Sequence, residues 1–295
     1  MIEPITAIEI CRFLHDGALL LLWGAAAFVA VLLPRPLLGE TMRRLGAFPI
    51  AAAVIALLTT AFALPLEAAS IGDGWLDGFD AETLGAVLFD STVGVALQAQ
   101  AATGVLLLLA FAVHGKSRVA AVAVCAALGL GAVALTGHAS MDQGFRLAVH
   151  RGNDIVHLLS GGAWIGALIP FVIVLKMLGA ADFHGQAQLA LRRFSTAGHV
   201  AVALVLATGL VNTGLVLGRW PTDWSSPYQM LLSVKIGTIC LMTTLAVVNR
   251  YLFVPAIGHH PDAAIRSIRI ASMAEILLGL AAVGLVAVFG MLDPV

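Results

Sequence analysis

About eight apolar runs, each roughly 20 residues long, divide this chain and constrain its fold more than any other feature, because that length lets an α-helix cross a membrane. The backbone in lipid must satisfy its own hydrogen bonds, and the runs are much longer than barrel strands, so the pattern predicts helices. The predicted spans are 8–33, 45–66, 91–113, 119–136, 154–178, 197–217, 228–254 and 268–291.

The composition leads to the same fold class. The chain is 60% hydrophobic and only 11% charged, whereas soluble domains contain about 25% charged residues. We therefore expect an all-α polytopic membrane protein that forms a single transmembrane domain over residues 1–295. The net charge of −1 without a basic patch argues against a nucleic-acid partner. The first run follows Glu3 and Glu9 and is too long for the apolar part of a signal peptide, so no cleavable signal is expected.

Lys and Arg residues are distributed unevenly between the two sets of loops. One set carries 11 of them and the other carries 4, while Lys235 lies inside a span. Because Lys and Arg concentrate in cytoplasmic loops, both termini and the loop at 67–90 are predicted to be periplasmic. That loop contains six acidic residues and no basic one. We interpret it as a solvated acidic surface, with a cation-collecting or partner-docking surface as the alternative.

The stretch 135–171 borders two spans and is unusually rich in side chains that bind metals. It contains His138, Met141, Asp142, His150, Asp154 and His157. With a helical rise of about 1.5 Å per residue, His15 in the first span and His157 in the fifth lie at similar depth. His138 lies at the outer mouth of the fourth span, and His150 is placed in an external loop. We therefore expect His15, His138 and His157 in one layer, although each could instead be a packing residue.

The local spacing of these residues suggests a metal site. Cys11 lies four residues before His15, and Asp154 lies three before His157, so each pair shares one helix face. Asp154 is expected to accept a hydrogen bond from His157 and to fix its tautomer, as metal-bound histidines generally require. Imidazole with thioether or thiolate is typical of copper, either Cu(I) or Cu(II), and zinc is the alternative. The predicted metal ligands are His15, His138 and His157, with Met141, Cys11 and Asp154 as further contributors.

Three ionisable residues lie deep inside predicted spans, where each costs several kcal/mol unless it is paired or hydrated. Asp16 and Lys235 lie at similar depth and could form an ion pair, either as a gate or as a fixed structural contact. Glu275 lies about 10 Å from the inner end of the last span. It could belong to an ion path, or it could bond Asn249, Thr243 or an arginine. We predict that Asp16, Lys235 and Glu275 line a transport path.

A redox function competes with metal transport. Two histidines at one depth on different helices can clamp a b-type haem, which would make His15 and His157 axial ligands. The absence from the sequence of a second matched pair deeper in the bundle argues against electron transfer across the membrane. A sensor or scaffold that binds copper without transporting it is a third possibility.

Four segments resemble the copper resistance protein D (CopD) family of bacterial inner-membrane proteins. They are ALTGHAS at 134–140, DIVHLLSGGAWIGALIPF at 154–171, RRFSTAGHVAVALVLATGLVNTGLVLG at 192–218 and YQMLLSVKIGTICLMTTLAVVNRYLFVPA at 228–256. The resemblance is closest over 134–256, and the first half agrees in span order and in RFLHDGALLLLWGA around His15. The GHA motif of the family falls on His138, its histidine before Trp-x-Gly falls on His157, and its penultimate-helix lysine falls on Lys235.

The resemblance implies a function as well as a fold. It implies a multi-pass inner (plasma) membrane protein without enzymatic activity that binds copper and moves it across the membrane, with uptake the commoner proposal. The role would be copper homeostasis and resistance. It also implies a periplasmic copper-binding protein of the CopC type, present as a separate chain, as the partner.

Overall fold

A computed structural model describes residues 2–137 and 142–294, and over these ranges the regular structure is helical. Two of the predicted ligands, His138 and Met141, lie outside the described residues. The α-helices are α1 (Pro4–Ala27), α2 (Leu38–Leu45), α3 (Phe48–Ile71), α4 (Ala81–Asp90), α5 (Thr92–Ala112), α6 (Lys116–Val133), α7 (Gly144–Ile165), α8 (Leu168–Met177), α9 (His184–Leu217), α10 (Pro227–Val248), α11 (Val254–Ala256) and α12 (Pro261–Phe289).

The long apolar helices confirm the all-α polytopic membrane fold. Within the described ranges, seven continuous helical segments are long and apolar enough to cross a membrane. The remaining predicted span, 119–136, corresponds to the shorter apolar helix Ser117–Val133. At about 1.5 Å per residue, such a helix falls slightly short of a hydrocarbon core about 30 Å thick. The side of the membrane on which the termini lie stays a prediction.

Two helices begin well before the predicted spans. α7 begins at Gly144 rather than at 154, and α9 begins at His184 rather than at 197. The apolar count locates only the part of a helix that lies in lipid. In the first turns of α7, Arg146 forms an ion pair with Asp142, so the polar residues have partners and the helix continues beyond the apolar run.

Helix α1 is the central element of the bundle, packing against α3 and α6 on one side and against α7 and α12 on the other. Its contact with α7 is close enough to require glycine. A Cβ atom built on Gly24 would lie 1.9 Å from the carbonyl oxygen of Gly162 and 2.7 Å from the Cα of Gly166. Gly162 and Gly166 are therefore packing residues of this contact, whereas Gly161 faces open space.

The segment at 67–90 contains ordered structure. α4 lies within it and packs on α3 and α5. Asp80 precedes α4 and accepts hydrogen bonds from the backbone N–H and the hydroxyl of Thr83, each at 2.8 Å. These bonds lower the pKa of Asp80. At least one acidic residue of this loop therefore serves as a helix cap.

Two helices contain a π-helical segment. One lies at Phe28–Leu32 after α1, and the other lies at Asn249–Phe253 after α10. In the first, the N–H of Leu33 donates to the carbonyl of Phe28 at 3.1 Å, five residues earlier. The second segment packs against α12 and begins at a residue whose side chain bonds Glu275.

Candidate functional site

A cavity of about 450 Å³ opens near the start of the bundle, among α1, α3, α5 and the C-terminal segment. We call it the outer cavity, because it lies at the end of the bundle that the charge bias predicts to be periplasmic. Its polar lining consists of Cys11, Arg12, His15, Asp16, Thr59, Glu67, Gln100, Thr136 and Asp293. The structure therefore brings together Cys11, His15 and Asp16, and it adds three charged residues that were not predicted to belong to the site, Arg12, Glu67 and Asp293.

His15 is positioned by the carboxylate that follows it in the chain. Its side chain is only 7% exposed, and its Nδ1 lies 2.9 Å from Oδ1 of Asp16. A carboxylate accepts hydrogen bonds, so Nδ1 is the protonated nitrogen and Nε2 keeps its lone pair. A histidine held in this way by a carboxylate is a typical metal ligand.

Cys11 lies one helical turn before His15 on the same face. The thiol donates a hydrogen bond of 3.1 Å to the carbonyl oxygen of Thr59 on α3, and the residue is 8% exposed. A thiol must lose its proton to bind a metal as thiolate. Cys11 and His15 together therefore offer one sulfur and one nitrogen ligand on a single helix.

Arg12 and Glu67 carry opposite charges in the outer cavity and interact electrostatically. Gly290, which directly follows α12, lies close to Arg12, since a Cβ built on Gly290 would lie 3.4 Å from Nη2 of Arg12. Glu67 was predicted to lie in a loop, and Arg12 was not predicted to belong to the site. Helical spacing is the sequence signal for their position, because Arg12 lies three residues before His15 and Glu67 lies eight residues after Thr59.

The described residues supply only part of a metal-binding set. Among them, no group of three or more His, Cys, Asp or Glu side chains lies close enough together to hold a metal ion. Gly137 lines the outer cavity, and the next residues in the sequence include His138 and Met141. Among the described residues, Cys11 and His15 therefore do not by themselves form a complete metal site.

His157 lies in a different polar cluster, between α7 and α9. Its Nδ1 lies 2.8 Å from the hydroxyl of Thr208, which donates in turn to the carbonyl of Leu204 at 2.6 Å. The hydroxyl therefore accepts from Nδ1, and Nε2 of His157 keeps its lone pair. The prediction that Asp154 accepts from His157 is wrong, because Thr208 on the facing helix takes that position.

Asp154 instead receives a hydrogen bond of 2.7 Å from Nδ2 of Asn212. The side-chain amide of Asn153 donates to Oδ1 of Asn212 and, at 2.9 Å, to the backbone carbonyl of Thr208. Thr208 and Asn212 are four residues apart, so they present one polar face to α7. This polar face was not predicted, although polar residues at helical spacing within an apolar run are the sequence pattern that indicates it.

His150 belongs to helix α7 and is 2% exposed, so its predicted placement in a loop is wrong. Its Nδ1 lies 2.7 Å from Oδ2 of Asp142, whose other oxygen lies 2.8 Å from Nε of Arg146. Its Nε2 lies 4.0 Å from Oδ2 of Asp154. His150 therefore links the start of α7 to the polar cluster around Asp154.

His15 and His157 lie on helices that pack against each other, α1 and α7. The two side chains nevertheless have different neighbours, the outer cavity for His15 and α9 for His157. This arrangement gives no support to a haem clamped between them.

The predicted ion pair between Asp16 and Lys235 is absent from the described part of the chain. Asp16 bonds His15, while Nζ of Lys235 lies 5.7 Å from the ring centroid of Phe289 and interacts electrostatically with Asp154. Similar depth did not bring the two charges together because α12 packs against both α1 and α10. This arrangement therefore gives no support to a gate formed by this pair.

Glu275 is held by two hydrogen bonds inside the bundle. Trp164 Nε1 donates to one carboxylate oxygen at 3.1 Å and Asn249 Nδ2 donates to the other at 2.9 Å. Glu275 is 2% exposed. Asn249 was one of the partners considered from the sequence, whereas Trp164 was missed. Glu275 thus joins α12, α7 and the π-helical segment after α10.

Comparison with known families matches both halves of the chain. The model described as "Copper resistance protein D-like, N-terminal domain" matches residues 1–148, and the model described as "Copper resistance protein D" matches residues 188–289. No solved structure shows a significant match to this chain.

Three curated proteins are similar in sequence to this chain. The "Inner membrane protein YebZ" of Escherichia coli (strain K12) is 32% identical over 257 residues, which is 86% of each chain. The "Copper resistance protein D" of Pseudomonas syringae pv. tomato is 34% identical over 182 residues, 59% of this chain and 58% of that one. The "Copper transport protein CutJ" of Bacillus subtilis (strain 168) is 29% identical over 215 residues, 70% of this chain and 39% of that one.

The matches and the apolar helices agree on location and family. A chain that aligns with an inner membrane protein over 86% of its length and contains seven membrane-length helices among its described residues is a multi-pass inner-membrane protein. The chain belongs to the copper resistance protein D family.

Proposed function

We propose that this protein binds copper ions in the outer cavity and moves them inward across the inner membrane, as a carrier rather than an enzyme. The observation that carries the proposal is the placement of Cys11 and His15 on one wall of a cavity of about 450 Å³, next to Gly137. The family relationship supports copper as the ion, since its members include proteins named for copper resistance and copper transport.

The proposed ligands are Nε2 of His15, the deprotonated sulfur of Cys11, and His138 with Met141 from the adjoining segment. A set that contains thiolate and thioether favours Cu(I), whereas nitrogen and oxygen ligands favour Cu(II). Asp16 orients His15 in this scheme and is not itself a ligand. The negative charges of Asp16 and Glu67 would raise the local concentration of cations at the cavity.

His157 is a second proposed position for the ion, on the other side of α1. Its Nε2 has a lone pair because Nδ1 donates to Thr208. Asp154 is engaged by Asn212, so its part is to support this cluster rather than to bind the metal. Further inward, the carboxylate of Glu275 is the acidic group that we propose as the next element of the path.

Copper flux into sealed vesicles tests this proposal. Purified protein is reconstituted, external copper is supplied under reducing and non-reducing conditions, and internal metal is measured over time. We expect flux from the unaltered protein, loss of flux in His15→Ala, and unchanged flux in the matched control His259→Ala, which alters an exposed histidine. Equal flux in the two variants would contradict the outer-cavity assignment.

Two further measurements on the same preparation separate the alternative functions. Stoichiometric copper binding without flux would indicate a sensor or scaffold. A strong Soret band in the visible spectrum would indicate a b-type haem and would overturn the copper proposal.

We also propose that a separate periplasmic copper-binding protein of the CopC type delivers the ion. Support comes from strongly exposed apolar side chains in the segment around α4, Leu76, Phe79 and Phe89, beside the acidic residues of the same segment. A surface that combines apolar and acidic groups suits contact with another protein.

A further inference from the structure

A groove of about 560 Å³ lies between α8 and α12, far from the outer cavity in the fold. We call it the α8–α12 groove. Its lining combines two basic residues, Lys176 and Arg269, with the apolar residues Val172, Ile270, Met273, Ala274 and Leu277. The groove shares no lining residue with the outer cavity.

The two basic side chains of the groove have no acidic partner among the described residues. Neither Lys176 nor Arg269 forms an ion pair there, and both are exposed. Arg43 and Arg44, by contrast, both bind Glu40. A pair of unneutralised cations facing one groove predicts a ligand with negative charge.

The apolar residues of the groove extend from the basic pair along α12. Ile270, Met273, Ala274 and Leu277 occupy positions that lie on one helix face, and this stripe is about 10 Å long at the rise of an α-helix. Ile270 and Leu277 are 62% and 64% exposed, so the stripe faces the lipid. The opposite side of the helix is buried and carries Glu275.

The basic pair also lies at a suitable height in the membrane. Lys176 belongs to the last turn of α8, and both side chains are at the end of the bundle where most Lys and Arg residues of the sequence are found. Long basic side chains near the ends of membrane helices extend toward the headgroup layer. The groove therefore offers charge at headgroup level and apolar surface toward the membrane interior.

We propose that the α8–α12 groove is a binding site for an anionic phospholipid. The phosphate lies between Lys176 and Arg269, and one acyl chain lies along Ile270, Met273 and Leu277. Arg supplies several N–H donors to a phosphate and Lys supplies a mobile positive charge. Basic pockets between membrane helices bind anionic headgroups in this manner.

Native mass spectrometry of the full-length protein tests the proposal. The protein is reconstituted with equal amounts of phosphatidylglycerol and phosphatidylcholine that carry the same acyl chains, extracted into mild detergent, and analysed for retained lipid. We expect preferential retention of phosphatidylglycerol. Lys176→Gln and Arg269→Gln should each weaken this preference about five-fold, the effect of one basic residue near an anionic surface. The control is Arg192→Gln, which removes an exposed arginine from α9.

A second variant examines the apolar part of the groove. Ala274→Phe fills the groove without changing its charge, so we expect it to reduce retention of both lipids. Thermal unfolding verifies that each variant is folded, and variants of exposed residues are expected to pass. Equal retention of the two lipids by the unaltered protein would overturn the proposal. So would an equal loss in Arg192→Gln, which would show a general surface-charge effect, or displacement of the lipid by inorganic phosphate alone, which would show a simple anion site.

Discussion

Nδ1 of His15 lies 2.9 Å from Oδ1 of Asp16, although the two residues are adjacent in the chain. This contact fixes which ring nitrogen faces the outer cavity. We therefore predict that Asp16→Asn weakens copper binding about 10- to 100-fold, the usual effect of losing a partner that orients a metal-binding histidine. Competition with a copper chelator measures the affinity. Asp90→Asn, at an exposed carboxylate of α4, is the control, and equal affinities would show that Asp16 does not orient the ligand.

Glu275 should contribute to stability through its two donors. Glu275→Ala leaves the N–H groups of Trp164 and Asn249 unpaired inside the bundle, at about 1–3 kcal/mol for each buried unsatisfied group. Glu275→Gln keeps one carbonyl acceptor, so we expect a smaller loss. Denaturant unfolding in mixed micelles measures the free energy of unfolding, with Trp164 fluorescence reporting on the site. A loss of equal size in both variants would refute this explanation.

The contact between α1 and α7 should not tolerate a Cβ atom at position 24. A Cβ on Gly24 would overlap the backbone of α7, and such overpacking typically costs about 1–3 kcal/mol or more. We expect Gly24→Ala to lower the yield of folded protein and its thermal stability. The matched control is Gly161→Ala in α7, where open space surrounds the new atom. That change should be neutral or stabilise the helix by up to about 1 kcal/mol.

The stability of α2 should depend on pH. Hydrogen bonds from Arg43 and Arg44 lower the pKa of Glu40 from 4.5 to about 2. A lowered folded-state pKa means that the contribution is present above pH 4.5 and is lost as the pH falls toward 2. After correction for the intrinsic exchange rate, which itself falls with pH, the hydrogen-exchange protection factors of the α2 amides should decrease over this range. In Glu40→Gln, exchange should already be faster at neutral pH and should lose this dependence, and an unchanged dependence would contradict the prediction.

The charge bias predicts that both termini are periplasmic. Single cysteines at Glu3 and at Asp262 distinguish the two sides, since both positions are exposed. An impermeant thiol reagent should label Glu3→Cys in intact spheroplasts and Asp262→Cys only after lysis. The parent protein, with its three native cysteines, provides the background. The reverse labelling pattern would invert the membrane orientation.

The fold was largely predictable because helix number depends on counting apolar residues, which the sequence displays directly. The partners of side chains were not, because they depend on the rotation of each helix about its axis. Asp154 shows the difference. Its spacing from His157 was correct, yet Thr208 and Asn212 on α9 determined the hydrogen bonds of both.

Helix starts were the other source of error. The apolar pattern marks only the part of a helix that lies in the membrane. Helix α7 continues beyond that part because Asp142 bonds both Arg146 and His150. That extension moved His150 from a supposed loop into a buried position. A prediction of these contacts would have required knowing that Asp142 lies immediately before a helix.

The π-helical segment at Asn249–Phe253 shifts the helical register of the residues that directly follow it. A hydrogen bond from the N–H of Val254 to the carbonyl of Asn249 spans five residues instead of four, so the turn holds one residue more than an α-helix would. Deleting one residue there would restore regular geometry but rotate either Asn249 or the α11 region by about 100° relative to the other. The extra residue of this turn therefore sets how Asn249, which bonds Glu275, is oriented relative to α11.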